Sequence, residues 1–145
     1  MSGIVVGIDG SHNASHALEW AMTEAGVRHV ELTVITVNSV IAGYWSRRPV
    51  TFPGDDEKVA EARELAETAV AKIAADLGDR QPASVRVVAK NGFPAQALIE
   101  ASEDSDLLVV GSRGGGGFGA LAVGSITSQV VHHAKCPIVV VPAGR

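Results

Sequence analysis

Residues 107–125, LLVVGSRGGGGFGALAVGS, join a short run of branched apolar residues to a glycine-rich segment. A run of this length, apolar throughout, is typical of a strand buried on both faces of a parallel sheet. Glycine permits positive φ and lets the main chain approach another group without a Cβ in the way. A helix is predicted to follow, from Ser125 to Ala134. The stretch therefore indicates a strand, a turn of close approach and a helix start in succession.

Four further apolar runs predict the other strands, at Ile4–Ile8, Leu32–Val37, Val85–Ala89 and Ile138–Val141. Between them, apolar residues recur at three- and four-residue spacing, which predicts helices. These helices span Ala14–Arg28 and Asp56–Leu77, with a shorter one that opens at Pro94. Such alternation of strands and helices predicts an α/β layer fold with right-handed crossovers.

The segment Asn38–Gly54, NSVIAGYWSRRPVTFPG, shows neither helical nor strand periodicity. It is long for a connection inside a compact domain, so we interpret it as a functional lid or a disordered insertion. Tyr44, Trp45, Arg47 and Arg48 suit stacking on a purine or on a partner, but a mobile loop explains them equally well.

The composition of the 145-residue chain excludes several classes of protein. A hydrophobic fraction of 46% is a globular value, and a net charge of −4 argues against nucleic acid as a partner. No apolar run approaches the roughly 20 residues of a membrane span, and the start MSGIVVGIDGS lacks the basic region and cleavage site of a leader. The lone Cys136 cannot form an intramolecular disulfide. We expect a cytoplasmic protein without membrane contact.

The glycine-rich segment has the chemistry of an anion site. Consecutive amides in such a turn can converge on a phosphate, and the next helix adds unpaired N–H groups and the positive end of its dipole. Gly124 would let the chain pass close to that phosphate, and the Ser125 hydroxyl could donate to it. No lysine follows a glycine here, which excludes a Walker A loop. The segment also follows the fourth predicted strand, whereas the dinucleotide fingerprint belongs to a first strand–helix turn.

The spacing Gly111-x2-Gly114-x9-Gly124-Ser125 resembles the nucleotide motif of the universal stress protein family, specifically its ATP-binding branch. Three further matches are independent of these glycines. Residues 6–11, VGIDGS, are similar to the family's opening V-G-x-D-x-S, and Val37 ends the second strand where the family has a hydrophobic residue that contacts adenine. Residues 134–141, AKCPIVVV, resemble its closing A-x-C-P-V-x-V-V.

With this resemblance we predict a fold and a site. Residues 1–145 are expected to form one Rossmann-like domain, a three-layer sandwich with a five-stranded parallel sheet of order 3-2-1-4-5. The resemblance implies ATP and Mg²⁺ as ligands. The implied nucleotide-binding residues are Gly7, Asp9, Val37, Ala89, Gly111, Ser112, Arg113, Gly114, Gly124 and Ser125.

Within this set, Gly7 and Asp9 would lie beside the ribose and phosphates. Val37 and the neighbourhood of Ala89 would frame the adenine through main-chain groups, and the glycine segment would hold the triphosphate. Asp9 would also help to hold Mg²⁺, which takes few carboxylates when phosphate oxygens and waters complete its shell. Two alternatives stay open: Asp9 as a helix cap or turn acceptor, and Arg113 as a solvated surface charge rather than a phosphate ligand.

The predicted last strand, followed by Pro142, would leave an apolar edge that a second copy could cover about a two-fold axis. The resemblance implies such a homodimer, through residues 137–142.

The resemblance also implies a stress-response or signalling module, with an unknown protein as a possible partner. Two other functions are compatible with the sequence: a slow ATP hydrolase, and a partner-binding module of the same fold that binds no nucleotide. The sequence gives no catalytic residue, because no base or second acidic cluster accompanies the glycine segment.

Overall fold

The computed structural model describes residues 3–9, 12–39, 42–45, 48–51, 55–112 and 125–142. Its strands are β1 (Ile4–Ile8), β2 (Glu31–Ser39), β3 (Ala42–Trp45), β4 (Arg48–Thr51), β5 (Ser84–Gly92), β6 (Leu107–Gly111) and β7 (Ile138–Val141). Its helices are α1 (His12–Arg28), α2 (Asp56–Leu77), α3 (Pro94–Ser102) and α4 (Ser125–His133), and a single 3-10 turn spans Gly78–Arg80.

Five parallel strands form the main sheet in the order β5-β2-β1-β6-β7. Numbered as the five predicted strands, this is the order 3-2-1-4-5, so the predicted fold is confirmed. The central strand β1 pairs on one side with β2, where Ile4 faces Leu32, and on the other with β6, where Ile4 faces Leu107. Because all five strands run in the same direction, their carboxyl ends share one edge of the sheet.

Side chains of the central strands alternate between two separate apolar layers. On β1, Ile4 and Val6 belong to the layer that packs under α1 and α2, whereas Val5 belongs to the layer under α3 and α4. On β6, Leu107 and Val109 likewise belong to the layer under α1 and α2, and Leu108 belongs to the layer under α3 and α4. Strands with helices on both faces have no solvent face, which is why their sequences are unbroken apolar runs.

The structure corrects one of the two alternatives for the segment Asn38–Gly54, the disordered insertion: residues 38, 39, 42–45 and 48–51 lie in strands, and a functional lid stays a prediction. Strand β2 continues through Asn38 to Ser39, and β3 and β4 pair antiparallel, with Ala42 opposite Thr51 and Trp45 opposite Arg48. Aromatic and β-branched residues favour extended backbone, but Gly43 and Pro49 interrupt the pattern that would have identified these strands. Pairing between the two short strands therefore decides their structure.

Helix α2 has the bounds that its apolar stripe predicts. Its N-cap is Asp55, whose carboxylate accepts hydrogen bonds from the amides of Glu57 and Lys58 at 3.0 and 3.2 Å. Its C-cap is Gly78, whose φ of 56° lies in the left-handed region that glycine adopts without strain. On the same helix, the guanidinium of Arg63 donates to the Val87 carbonyl of edge strand β5 at 2.9 Å, which covers part of that edge.

A close approach fixes α1 against the turn that precedes β5. A Cβ placed on Gly26, near the end of α1, would lie 1.9 Å from the carbonyl oxygen of Arg80. The carbonyl belongs to the backbone, and the position of a Cβ is set by the backbone, so neither atom can move away by a change of rotamer. Only glycine allows this contact.

We therefore predict that Gly26→Ala lowers the free energy of unfolding by about 2 kcal/mol or more, the range of overpacked cores. This is opposite to the usual effect of the substitution within a helix, where alanine is favoured. Urea denaturation measures the change. The control is Val27→Ala at the neighbouring position, which is 70% exposed and should change stability by less than about 0.5 kcal/mol. Equal stability of the two variants would contradict the proposed contact.

Candidate functional site

The candidate site lies where the direction of the chain connections reverses within the sheet. Strand β1 continues to β2 on one side, whereas β6, its other neighbour, continues to β7 on the opposite side. The connections that leave β1 and β6 therefore diverge at the carboxyl ends of the strands. Open α/β sheets typically bind ligands at such a point of divergence.

Gly7 and Asp9 lie on the β1 side of this point of divergence. Gly7 is half-buried and pairs with Ile35 of β2. A Cβ on Gly7 would lie 2.7 Å from Cδ1 of Leu98, so a larger residue here would push against α3. Asp9 directly follows the strand at the carboxyl edge of the sheet and is an exposed residue.

Gly111, Ser112 and the start of α4 form the β6 side. The amide of Ser112 donates to the Val141 carbonyl of β7 at 2.9 Å, which continues the sheet pairing one residue beyond the strand. The hydroxyl of Thr127, in the first turn of α4, donates to the Gly111 carbonyl at 2.7 Å. Thr127 thereby brings the amino end of α4, where the predicted ligand Ser125 lies, to the end of β6. The sequence carried no signal for this bond.

Three predicted ligands, Arg113, Gly114 and Gly124, lie outside the described residues. Of Ser125, the structure describes the backbone as the first residue of α4. Among the predicted residues that are described, the structure brings Gly7, Asp9, Val37, Gly111, Ser112 and the Ser125 backbone to one edge of the sheet.

Val37 and Ala89 lie on opposite faces of the sheet. Val37 packs with the layer under α3 and α4. Ala89 is buried and lies at even spacing from Val85 and Val87, which face α2. The two side chains cannot contact the same base, so only main-chain groups near Ala89 could accompany Val37. The neighbour of Val37 in this region is instead Gly92, where an added Cβ would lie 3.8 Å from Cγ1 of Val37.

A side-chain amide that the sequence analysis did not identify joins three elements at this edge. Asn91 of β5 accepts hydrogen bonds through Oδ1 from Nδ2 of Asn38 on β2, at 2.9 Å, and from the amide of Asp55, at 3.0 Å. Its own Nδ2 donates to Oδ1 of Asp56 at 3.2 Å. Asn91 thus ties the ends of β2 and β5 to the amino end of α2.

Cys136, just before β7, shows the features of a structural thiol. It is half-buried, packs with the layer under α3 and α4, and its Sγ donates to the Pro137 carbonyl at 3.3 Å. Burial raises the pKa of the Cys136 thiol, and the carboxylate of Asp106 raises it further. A raised pKa keeps the thiol protonated, and thus a poor nucleophile, at neutral pH.

Two other features are absent from the described ranges of the chain. Between residues 3 and 142, apart from the gaps noted above, no three His, Cys, Asp or Glu side chains are grouped so as to bind a metal ion. Within that same part of the chain, no helix combines the length and the apolar character that crossing a membrane requires.

Comparison with known proteins identifies a family. The model of the universal stress protein family matches residues 1–142. A universal stress protein of Mycolicibacterium smegmatis is 31% identical over 139 residues, which are 96% of this chain and 47% of that protein. One of Mycobacterium tuberculosis is 35% identical over 140 residues, 94% of this chain and 44% of that protein. The chain therefore spans about half the length of these relatives.

Solved structures share the fold. The universal stress protein UspA from Lactobacillus plantarum has a TM-score of 0.79 at 23% identity, with 97% of each chain covered. A universal stress protein in complex with cAMP has a TM-score of 0.68 at 20% identity, covering 99% of this chain and 98% of its own. The protein from Archaeoglobus fulgidus in complex with dAMP has a TM-score of 0.63 at 24% identity, with 97% of each chain covered.

The Asn91 network gives a prediction. Asn91→Ala removes three hydrogen bonds at a half-buried position and leaves the Asn38 amide without this acceptor, so we expect a loss of about 1–2 kcal/mol in the free energy of unfolding. Urea denaturation measures it. The control, Gln96→Ala, removes an exposed bond to Glu100 within α3 and should cost less than about 0.5 kcal/mol. An Asn91→Ala variant as stable as this control would show that the network contributes nothing.

Proposed function

The chain belongs to the universal stress protein family, and from that premise we propose that it binds ATP with Mg²⁺ at the carboxyl edge of its sheet. Residues 1–145 act in this proposal as one nucleotide-binding domain that serves stress response or signalling. The observation that carries it is the divergence of the chain connections between β1 and β6, where Gly7 and Gly111 lie near the two strand ends and the start of α4 is bonded to Gly111.

The physical chemistry of this edge of the sheet suits a polyphosphate. The first N–H groups of a helix have no partner within the helix, and the helix dipole adds a partial positive charge at the same end. In α4 these groups belong to Ser125, Ile126 and Thr127, beside the end of β6. The spacing Gly111-x2-Gly114-x9-Gly124-Ser125 supplies further amides without side chains to obstruct them.

The remaining ligands are assigned by position. Gly7 lies beside the ribose and phosphates, and Val37, together with main-chain groups near Ala89, borders the adenine. Ser112, Arg113 and Ser125 contact the triphosphate. The adenine nucleotides named in the neighbours' complexes, cAMP and dAMP, support this class of ligand.

Asp9 is the proposed Mg²⁺ ligand. Asp9 is an exposed residue directly after β1, next to the proposed phosphate position, and a carboxylate supplies the oxygen ligands that a hard cation requires. Mg²⁺ bound to a nucleotide needs only one or two carboxylates, since phosphate oxygens and waters complete its shell. The bound ion would neutralise phosphate charge, and Asp9 would orient it.

We propose that the nucleotide is held rather than turned over rapidly. Efficient phosphoryl transfer requires a positioned base or water-orienting group and charge stabilisation at the γ-phosphate. The glycine segment contains no lysine, and Asp9 is already assigned to the metal. A single-turnover assay with labelled ATP distinguishes this proposal from slow hydrolysis.

Isothermal titration tests the binding itself. The wild-type chain should bind ATP with Mg²⁺, and Gly114→Val and Gly124→Val should abolish measurable binding because a branched side chain blocks the approach of the phosphates. The control is Gly115→Val, a glycine of the same segment that lies outside the spaced pattern. Its binding should survive, and circular dichroism confirms folding of each variant.

Repeating the titration with EDTA measures the contribution of Mg²⁺. Absence of wild-type binding at millimolar ATP would exclude the proposal. It would favour the alternative, a partner-binding module of the same fold that takes no nucleotide.

We further propose that β7 pairs with its counterpart in a second copy. β7 is an edge strand, and its Val140 is 38% exposed. An apolar strand at a free edge is a template for pairing, and a two-fold axis lets two copies cover each other. The proposed interface comprises residues 137–142.

Light scattering at micromolar concentration should therefore give the mass of a dimer, and Val140→Lys should give a monomer because each charge would be buried at the interface. The control is Val27→Lys, at the 70% exposed position on α1, which should leave the dimer intact. A monomeric wild-type protein would rule out this interface.

A further inference from the structure

One buried hydroxyl connects the two elements that border the glycine segment. The Thr127 side chain is only 5% exposed, and its Oγ1 donates to the carbonyl of Gly111 at 2.7 Å. Gly111 is the last residue of β6, and Thr127 is the third residue of α4. A single hydrogen bond thus joins the end of the strand to the first turn of the helix.

The bond does not serve the helix itself. A threonine in the first turn often bonds within its own helix or back to the cap residue. The Thr127 hydroxyl instead bonds across to β6, to a carbonyl on the strand that pairs with β7, where Gly111 faces Val141. Its effect is to set the position of α4 relative to the sheet.

A second hydroxyl holds the other end of α4. Ser102, at the end of α3 and 1% exposed, accepts a hydrogen bond from the Lys135 amide at 2.9 Å and donates to the Ile99 carbonyl at 2.5 Å. Lys135 follows α4 by two residues. The helix is therefore fixed at both ends, but only the Thr127 end faces the carboxyl edge of the sheet.

We propose that Thr127 is a positioning residue for phosphate binding: it holds the N–H groups of the first turn of α4 close to the end of β6. The inference rests on the proposed nucleotide site and specifies which part of the ligand is affected. Without the bond, the first turn of α4 would become ordered only when the ligand binds. The free-energy cost of that ordering would then reduce the affinity, whereas in the wild type the turn is already ordered in the folded protein. The loss of affinity therefore concerns the phosphates, which the N–H groups contact, and not the adenosine part of the ligand.

The test compares Thr127→Val, which keeps the shape and loses the hydroxyl, with Thr127→Ser, which keeps the hydroxyl. Titrations with ATP and with adenosine give two dissociation constants for each variant. Thr127→Val should weaken ATP binding about tenfold, the upper range for one lost hydrogen bond, and adenosine binding by less than about twofold. Thr127→Ser should restore ATP binding to within about threefold of wild type.

Ser102→Ala is the matched control. It removes the α3 hydroxyl that binds the Lys135 amide just beyond the opposite end of α4, and should lower thermal stability yet leave the ratio of ATP to adenosine affinity unchanged. If Thr127→Val lowers the affinity for ATP and for adenosine equally, the role of Thr127 is merely structural. Unchanged ATP binding in that variant would likewise overturn the proposal.

Amide hydrogen exchange measures the hydrogen bond without any ligand. In Thr127→Val, the amides of residues 128–130 should exchange faster than in wild type and in Ser102→Ala, because the first turn of α4 is no longer held to β6. Unchanged exchange would refute the positioning role even if ATP binds. Faster exchange in a protein whose wild type binds neither ligand would instead mean that the proposed nucleotide function fails while the link between α4 and β6 is real.

Discussion

The parallel pairing of β1 with both β2 and β6 is the constraint on which the rest of the molecule depends. With Ile4 opposite Leu32 on one side and Leu107 on the other, all the strand ends meet at one edge of the sheet. The same pairing commits both faces of β1 to apolar layers, so that helices must cover each of them. It also makes the boundary between β1 and β6 the place where chain connections diverge.

Polar contacts at this edge refine what the apolar layers establish. Burial in the two layers provides most of the stability but is non-directional, so it leaves small displacements of a helix inexpensive. Hydrogen bonds from Thr127 to Gly111 and from Asn38 to Asn91 are directional: the first joins α4 to the strand before it, and the second joins β2 to β5, 53 residues apart. Packing thus gives the fold, and a few side-chain bonds fix where helix and strand ends lie.

The chain is a member of the universal stress protein family. The fold is shared with solved universal stress proteins although the sequence identities are only 23% and 20%. Apolar layers tolerate such divergence, because a core depends on apolar character and total volume rather than on the identity of each residue.

The sequence by itself determined the five core strands and the bounds of α2, because apolar periodicity and local chain conformation depend on neighbouring residues. It also contains the glycine spacing directly. It did not predict the pairing of β3 with β4, the placement of Val37 and Ala89 on opposite faces, or the bonds made by Asn91 and Thr127. Each of these joins residues through a register or a crossing that no local pattern encodes. Only the folded sheet, which sets the position of every strand end relative to the others, decided them.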